Sequence, residues 1–175
     1  GVDSAAACLL LRRQGYEVGG ATMLLRDGGE AEAEDARRAA EQMGLPFYRF
    51  DWKDEFQKRV IAPFTDVYRA GATPNPCVIC NGAMKFGLFL ERALELGYDG
   101  IATGHYAHVA QANGRYVLKI AADRPKDQTY MLCKLTQFQL AHTLFPLGDV
   151  ENKETVRAMA AEAGLDLARK HDSQD

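Results

Sequence analysis

Two cysteines are the side chains in this 175-residue sequence whose type and spacing best suit chemistry. Cys77 and Cys80 form a Cys-x-x-Cys pair directly after residues 73–76, Thr-Pro-Asn-Pro. The prolines fix φ and push the residues before them out of the helical region, which predicts a stiff, extended loop. The apolar spacing of residues 82–96 predicts an amphipathic helix with Cys80 at its N-terminus. Because unpaired N–H groups there lower a thiol pKa, we predict that Cys80 is a nucleophile.

The Cys-x-x-Cys pair also has less specific interpretations, namely half of a zinc site, a redox pair or two packed thiols. A structural zinc site needs a second Cys-x-x-Cys or a histidine pair at ligand spacing. The other cysteines, Cys8 and Cys133, are isolated in apolar segments. The sequence therefore disfavours structural zinc and leaves the remaining interpretations open.

The first four residues, Gly-Val-Asp-Ser, form a second candidate site. They lead directly into a run of strong helix formers at residues 5–13. A small-residue turn at a helix N-terminus presents N–H groups and a positive dipole end, which suits a phosphate. A glycine before a helix is more often only a cap, so these residues alone leave both interpretations open.

Strand and helix patterns alternate along the first part of the chain. Buried strands are predicted at residues 16–25, 46–52 and 101–103. Helices are predicted at residues 30–44, 54–70 and 82–96, and Pro63 should kink or split the second of them. This alternation predicts an α/β fold with a doubly wound parallel sheet.

The pattern changes after Tyr106. Asn113-Gly114 is a strong hairpin signal between predicted strands at 107–111 and 115–120. Short helices are predicted at 129–135 and 137–141, followed by a turn at 144–148 and a helix at 153–163 that Asn152 caps. We therefore divide the chain into residues 1–106 and an appended hairpin and helical extension, residues 107–175.

Composition limits the function without identifying it. Apolar residues make up 47% of the chain, enough for one well-buried domain. The net charge of −3 predicts that any contact with nucleic acid comes from local basic patches. Four cysteines, without a signal peptide or a long apolar run, predict a cytoplasmic protein with mostly free thiols.

The ends of the sequence predict a piece of a longer protein. The chain opens at Gly1 with neither an initiator Met nor a strand, and it ends on the polar residues 172–175. The strand that feeds a phosphate loop is central in a doubly wound sheet. We therefore expect the 175 residues alone to be poorly stable and inactive.

Histidines have a minor place in this interpretation. His105 follows a predicted strand, at the end where α/β sheets bind ligands, and we expect it to shape the loop by hydrogen bonding rather than to catalyse. No role is assigned to the other three histidines, which are His108, His142 and His171.

Six segments together resemble the tRNA-specific 2-thiouridylases, which are PP-loop ATP pyrophosphatases. The first, residues 1–4, is shared by many PP-loop enzymes, whereas the complete set is typical of this family. The other segments are Thr-Pro-Asn-Pro-Cys-x-x-Cys-Asn at 73–81 with Lys85-Phe86, Ala-Thr-Gly-His-Tyr-Ala at 102–107, Lys-Asp-Gln-Thr-Tyr at 126–130, Leu-Phe-Pro-Leu-Gly at 144–148 and Asp-Ser-Gln at 172–174.

The resemblance implies a fold and a reaction. The fold would be of the Rossmann-like, adenine-nucleotide α-hydrolase type, with residues 1–106 as the ATP-binding catalytic domain and 107–175 extending toward the tRNA-binding region. The enzyme would transfer AMP from ATP to the C2 oxygen of the wobble uridine, after which sulfur from a protein persulfide displaces AMP.

The resemblance also implies roles for single residues. Cys80 matches the catalytic cysteine, and Asp3 would act in catalysis through Mg²⁺. Residues that would contact ATP are Gly1, Val2, Asp3, Ser4, Met23 and Gly104. Residues that match the segments contacting the target base or the tRNA are Asn75, Pro76, Cys77, Lys126, Asp127 and Gln128.

Two departures from the family pattern concern the cysteines. The family's persulfide cysteine lies just beyond a motif like residues 172–174, where this chain ends. Position 77 is Cys here, whereas well-known members have Asp. With the missing cysteine, Cys77 and Cys80 could hold a [4Fe–4S] cluster, or Cys77 could be a spectator.

The implied partners are tRNAs of the Lys, Glu and Gln type and a sulfur-relay protein or cysteine desulfurase, with no membrane. Two alternatives stay open. One is another PP-loop adenylating ligase that acts on a small molecule. The other is a non-catalytic metal or redox module built on Cys77 and Cys80.

Overall fold

The computed structural model describes residues 1–166, in which helices and parallel strands alternate. The first half contains α1 (Val2–Arg13), β1 (Gly20–Leu24), α2 (Glu30–Gln42), β2 (Phe47–Asp51), α3 (residues 53–69) and α4 (residues 76–95). The second half contains β3 (Ile101–Ala102), β4 (His108–Ala112), β5 (Arg115–Lys119), 3₁₀ turns at Arg124–Lys126 and Thr129–Leu132, α5 (Gln137–Ala141), β6 (Thr143–Leu144) and α6 (Lys153–Glu162).

The parallel strands form two separate pairs in the described part of the chain. β1 pairs with β2 from Gly20↔Phe47 to Leu24↔Asp51, and β3 pairs with β6 over two residues. The predicted α/β class with parallel strands is confirmed. Strand β6 was not predicted from the sequence, because two residues are too short to show an alternating pattern.

A cleft of about 360 Å³ lies between the two parallel pairs. Residues of α1, β1 and β3 line it together with the aromatic side chains of Tyr48, Phe50, Phe89 and Tyr98. Phe50 stacks on Trp52 at 4.7 Å between ring centroids, and the Tyr98 hydroxyl lies 3.3 Å from that of Tyr48. The cleft is therefore largely apolar and bordered by residues of both strand pairs.

Helices α3 and α4 each contain a π-helical segment. In α3 this segment is Gln57–Ile61, and Pro63 follows near the start of the next α-helical segment, Ala62–Arg69. Proline lacks an N–H group and clashes with the carbonyl four residues earlier, so the helix must change its hydrogen bonding there. The predicted disruption of this helix at Pro63 agrees with the structure.

Helix α4 begins earlier than the sequence analysis predicted. Its first residue is Pro76, and the Asn75 side-chain oxygen accepts a hydrogen bond from the Val78 N–H at 3.2 Å. Asn at the N-cap followed by Pro at the first helical position is a favourable helix start, and it outweighs the expectation of an extended loop. Cys80 therefore lies inside the helix, directly before the π-helical segment Asn81–Phe89.

The predicted hairpin is confirmed. Strands β4 and β5 pair antiparallel, and Asn113 and Gly114 at the turn have φ of 51° and 74°. Positive φ at both central residues is typical of a type I′ turn, which matches the twist of the flanking strands. The helix predicted at 129–135 is only the short 3₁₀ turn, and α5 and α6 form where expected.

Two buried clusters form the core. In the first, α1 packs on α6 through small side chains, including Ala6 and Ala160, and Tyr106 joins them. The second lies around Phe86 and Leu132. Since the first cluster draws on both sides of residue 106, the predicted division there remains a prediction. Between residues 1 and 166, every helix is too short or too polar to cross a membrane.

Candidate active site

The predicted phosphate loop forms the first turn of α1. Asp3 is half-buried, Ser4 is exposed, and the Ser4 hydroxyl donates to the Gly1 carbonyl at 3.0 Å. The first N–H groups of a helix have no acceptor within the helix, so residues at this turn can donate to an anion. The structure therefore places the predicted ATP-binding residues 1–4 at a helix N-terminus.

Gly104 packs against this turn. A Cβ atom at Gly104 would lie 2.8 Å from the Asp3 Cβ and 2.9 Å from the Ser4 nitrogen, which leaves no room for a side chain. The segment that follows β3 is thus in direct contact with the start of α1. Met23, the other residue predicted beside the nucleotide, is half-buried near the end of β1, opposite Phe50.

The Asp3 carboxylate is held by two residues that the sequence analysis did not single out. Lys153 Nζ lies 2.6 Å from Oδ1 and 2.7 Å from Oδ2 of Asp3, and the Tyr106 hydroxyl donates to Oδ1 at 3.2 Å. One signal in the sequence could have indicated Lys153. It is the first residue of α6, where a cation is disfavoured by the helix dipole.

Cys80 differs from the prediction in position and in pKa. It is half-buried one turn into α4, and burial raises its pKa above that of an ordinary thiol, although the charge of Lys85 works in the opposite direction. The predicted lowering by a helix N-terminus is therefore wrong. Cys77 is half-buried in the first turn, and Asn75 and Pro76 are exposed.

His105 connects the phosphate loop to α4, the cysteine helix. It follows Gly104, its ring packs on Phe86 of α4 at 5.8 Å, and Thr103 Oγ1 lies 2.7 Å from its Nδ1. Burial and, to a lesser extent, the charge of Lys85 lower the pKa of His105 to about 3, so the ring is neutral near pH 7. The expectation that His105 shapes this loop by hydrogen bonding agrees with the structure.

Asn81, directly after Cys80, is buried, with 2% of its surface exposed. Within the described residues its Oδ1 atom has no hydrogen-bond partner. A buried carbonyl oxygen without a donor is costly, by about 1–3 kcal/mol. The cysteine turn, residues 77–81, thus contains an acceptor for which the described part of the protein provides no donor.

The segment predicted to contact tRNA is built around internal hydrogen bonds. The Asp127 carboxylate accepts from the backbone of Ala121 at 2.9 Å and from the Thr129 hydroxyl at 2.5 Å. Partial burial raises the pKa of Asp127, but these hydrogen bonds lower it more, and the carboxyl group stays ionised near pH 7. Gln128 Oε1 accepts from the Tyr106 N–H at 3.1 Å, whereas Lys126 is exposed.

The structure brings most predicted site residues into one connected region. The Thr129–Leu132 turn contacts the start of α4, next to Cys77. Residues 104–106 touch the phosphate loop through Gly104 and Tyr106, and the cysteine helix through His105. The motif at 172–174, and His171, lie outside the described residues.

The donor groups fit Mg²⁺ better than an iron–sulfur cluster. No group of three or more His, Cys, Asp or Glu side chains in residues 1–166 could hold a metal ion. Mg²⁺ usually takes one or two carboxylates together with substrate phosphates and water, so Asp3 could serve it. A cluster on Cys77 and Cys80 would need further ligands from outside the described residues.

Comparison with known proteins supports the resemblance found in the sequence. A family model described as the tRNA methyl transferase HUP domain matches residues 1–175. "tRNA-specific 2-thiouridylase MnmA 2" of Clostridium tetani is 48% identical over 187 aligned positions, which cover 100% of this chain and 52% of that protein. "tRNA-specific 2-thiouridylase MnmA 1" of Clostridium botulinum strain Hall and "tRNA-specific 2-thiouridylase MnmA" of Clostridium acetobutylicum are each 46% identical, with the same coverage.

The chain spans about half the length of the curated relatives it matches. The resemblance to the tRNA-specific 2-thiouridylases is confirmed. Since the family model covers all 175 residues, the chain belongs to the tRNA methyl transferase HUP domain family.

Proposed function

We propose that this chain is the nucleotide-binding part of a tRNA-uridine 2-sulfurtransferase. The observation that carries this proposal is the connection through residues 104–106. Gly104 packs on Asp3 and Ser4, and His105 packs on the helix that bears Cys80. One short segment therefore contacts both the phosphate loop and the helix that bears Cys80, as a reaction with an adenylation step and a sulfur-transfer step requires.

The first step is adenylation of the target base. The C2 oxygen of a wobble uridine attacks the α-phosphorus of ATP, a C–O–P bond forms, and pyrophosphate leaves. The N–H groups of the α1 turn bind the phosphates, and Asp3 is the carboxylate that would hold Mg²⁺, which would supply neutralisation of the phosphate charge. Met23 and Gly104 lie beside the nucleotide.

The second step is sulfur transfer. The terminal sulfur of a persulfide, carried by a cysteine outside the described residues, attacks C2, and AMP leaves with the C2 oxygen. Cys80 as thiolate then attacks the carrier sulfur, which releases 2-thiouridine and leaves a disulfide that a thiol reductant must reduce. This role requires ionised Cys80, and burial opposes ionisation in the structure.

The remaining assignments concern partners. Asn75, Pro76 and Cys77 contact the target base, and Lys126, Asp127 and Gln128 contact the tRNA. The substrates are tRNAs of the Lys, Glu and Gln type, and the sulfur comes from a relay protein or a cysteine desulfurase in the cytoplasm. Exposure of Asn75, Pro76 and Lys126 supports these contacts.

The two steps are separable by experiment in the full-length protein. Cys80→Ser should abolish tRNA thiolation and retain tRNA-dependent pyrophosphate release, because AMP transfer does not need the thiol. Cys133→Ser, at an exposed cysteine, is the matched control and should leave both activities unchanged. Full thiolation by Cys80→Ser would refute the assignment of Cys80. Pyrophosphate release that depends on a small metabolite rather than tRNA would favour the small-molecule ligase.

A further inference from the structure

The ion pair between Lys153 and Asp3 joins two helix starts that are 150 residues apart in sequence. Only 15% of the Lys153 side chain and 34% of the Asp3 side chain are exposed. An ammonium group that is mostly removed from water needs a negative partner, because its desolvation is costly. The ion pair is therefore a partly buried structural element of the phosphate loop rather than a surface contact.

The location of Lys153 serves the stability of its own helix poorly. A cation in the first turn of a helix is disfavoured by the helix dipole. Asn152 already caps this helix by accepting from the Thr155 N–H at 2.9 Å, and Val156 and Ala160 provide the buried face. A role for Lys153 at the Asp3 site explains its position better than a role in forming α6.

Both Asp3 oxygens are engaged by the same ammonium group, at 2.6 and 2.7 Å. In this arrangement the negative charge of Asp3 is neutralised, and a divalent cation on the same carboxylate would be repelled by Lys153. A polyphosphate arriving at the α1 turn offers the ammonium group an alternative partner with more negative charge. Lysine is a common phosphate ligand in proteins and acts there as a point charge.

We propose that Lys153 is a phosphate-binding residue that exchanges partners, pairing with Asp3 in the free protein and with the polyphosphate chain of the bound nucleotide. The exchange frees Asp3 for a divalent cation, while the Tyr106 hydroxyl keeps one hydrogen bond to Asp3 and preserves its orientation. In adenylation, Lys153 stabilises the charge that develops on the leaving pyrophosphate. This inference rests on the proposed adenylation function.

Lys153→Gln in the full-length protein is the discriminating variant. Glutamine can still donate a hydrogen bond to Asp3, so the fold is retained, but it has no charge for a phosphate. Isothermal titration should show ATP and pyrophosphate binding weakened by roughly 10- to 100-fold, the loss of one charge-assisted contact. AMP, which lacks the β- and γ-phosphates, should bind with unchanged affinity.

A second measurement, of Mg²⁺ affinity, should change in the direction opposite to ATP affinity. Removing the competing ammonium group should let Mg²⁺ bind the nucleotide-free Lys153→Gln protein more tightly than the wild type, even though ATP binds more weakly. A purely structural role would not strengthen one ligand and weaken another. Lys58→Gln, at an exposed lysine, is the matched control and should change none of these affinities. Lys53 is unsuitable as the control position because it also pairs with aspartates.

The outcomes are distinguishable from failure of the proposed function. If wild-type protein binds ATP and thiolates tRNA while Lys153→Gln binds ATP and pyrophosphate normally, the partner exchange is refuted and the function stands. Equal weakening of ATP and AMP would also refute it, since the residue would then act through the fold. Lys153→Arg should recover most of the lost pyrophosphate affinity, and failure of this rescue would contradict a charge-based role.

Discussion

The phosphate loop and the cysteine turn differ in how completely their polar groups are satisfied. At the phosphate loop, Asp3 accepts hydrogen bonds from Lys153 and Tyr106, and Gly104 fixes the backbone beside it. At the cysteine turn, burial raises the pKa of Cys80, and the neighbouring Asn81 Oδ1 is buried without a partner in residues 1–166.

The difference indicates that adenylation and sulfur transfer depend on different features of the molecule. The chain itself supplies an ordered phosphate loop, with its charges already paired. At the cysteine turn, burial favours the protonated, less reactive form of the Cys80 thiol. The neighbouring Asn81 Oδ1 has no hydrogen-bond donor among residues 1–166. Since burial disfavours the thiolate, Cys80 needs a change in its surroundings before it can act as a nucleophile, and docking of the tRNA substrate would supply one. Sulfur transfer should therefore depend on docking more strongly than nucleotide binding does.

The largest expected effect comes from breaking the phosphate loop. Asp3→Ala in the full-length protein should lower tRNA-dependent pyrophosphate release by roughly 100- to 1,000-fold, the range found for removing a central electrostatic group. It should also destabilise the protein by roughly 1–3 kcal/mol, because the Lys153 ammonium group, only 15% exposed, loses the Asp3 carboxylate. Denaturant unfolding and a pyrophosphate assay measure the two effects.

A double variant isolates the ion pair in that result. Asp3→Ala with Lys153→Met removes both charges, so it should unfold at a higher denaturant concentration than Asp3→Ala alone. Its pyrophosphate release should remain as low as in the single variant. If the double variant is no more stable than Asp3→Ala, the ion pair contributes little and the phosphate loop is no better ordered than the cysteine turn.

The next effect concerns His105, which lies between the two regions. Its pKa of about 3 in the folded state is below the ordinary value of 6.5, so the unfolded chain binds the proton first. The stability that His105 contributes is therefore fully present above pH 6.5 and is lost as the pH falls toward 3. The loss should approach roughly 1 kcal/mol per pH unit below pH 6.

Unfolding curves between pH 7 and pH 4 test this dependence. His105→Gln should be less stable at pH 7 but should lose less stability on acidification than the wild type. His142→Gln, at a half-buried histidine outside this connection, is the matched control and should keep the wild-type slope. Equal slopes in all three proteins would mean that the low pKa of His105 is wrong.

A smaller effect is expected at the cysteine turn. Lys85 lowers the pKa of Cys80 against the larger effect of burial, so Lys85→Met should raise that pKa further. Alkylation of Cys80 at pH 8 should then slow by roughly two- to fivefold, since the thiolate is the reacting form. Mass spectrometry can follow Cys80 and the exposed Cys133 in the same sample, with Cys133 as the internal reference.

The fate of the Lys85 variant decides how the cysteine turn is activated. Unchanged alkylation of Cys80 would show that Lys85 does not act on the thiol. If bound tRNA accelerates alkylation of Cys80 in the wild type, docking supplies the activation that the cysteine turn lacks. Protection of Cys80 without an increase in rate at any pH would contradict that view.

Local patterns in the sequence predicted most elements but not their exact starts. Asn113-Gly114 defined the hairpin, and Asn152 defined the start of α6, because each depends on backbone preferences of a few residues. The start of α4 was wrong because the prolines were interpreted as breakers, although proline at the first helical position is favourable.

Long-range contacts could not be predicted from the sequence. The pair of Lys153 with Asp3 spans 150 residues, and nothing local at either position indicates the other. The pKa of Cys80 was predicted in the wrong direction because burial depends on what packs around the thiol, and this outweighs helix position. Motifs identified the groups at the site, whereas their charge states required the fold.

The smallest expected effect is that of Tyr106→Phe. Tyr106 is buried, and phenylalanine fills the same space in its cluster, so the packing is kept while the hydrogen bond to Asp3 is lost. Because Lys153 still holds both carboxylate oxygens, the remaining contacts should keep Asp3 in place in the free protein. We expect pyrophosphate release to fall by roughly 2- to 10-fold, the net worth of one ordinary hydrogen bond.

Tyr130→Phe, at an exposed tyrosine, is the matched control for stability. A loss as large as that of Asp3→Ala would show that the hydroxyl, rather than the ammonium group, orients Asp3, and the phosphate loop would then be no better secured than the cysteine turn.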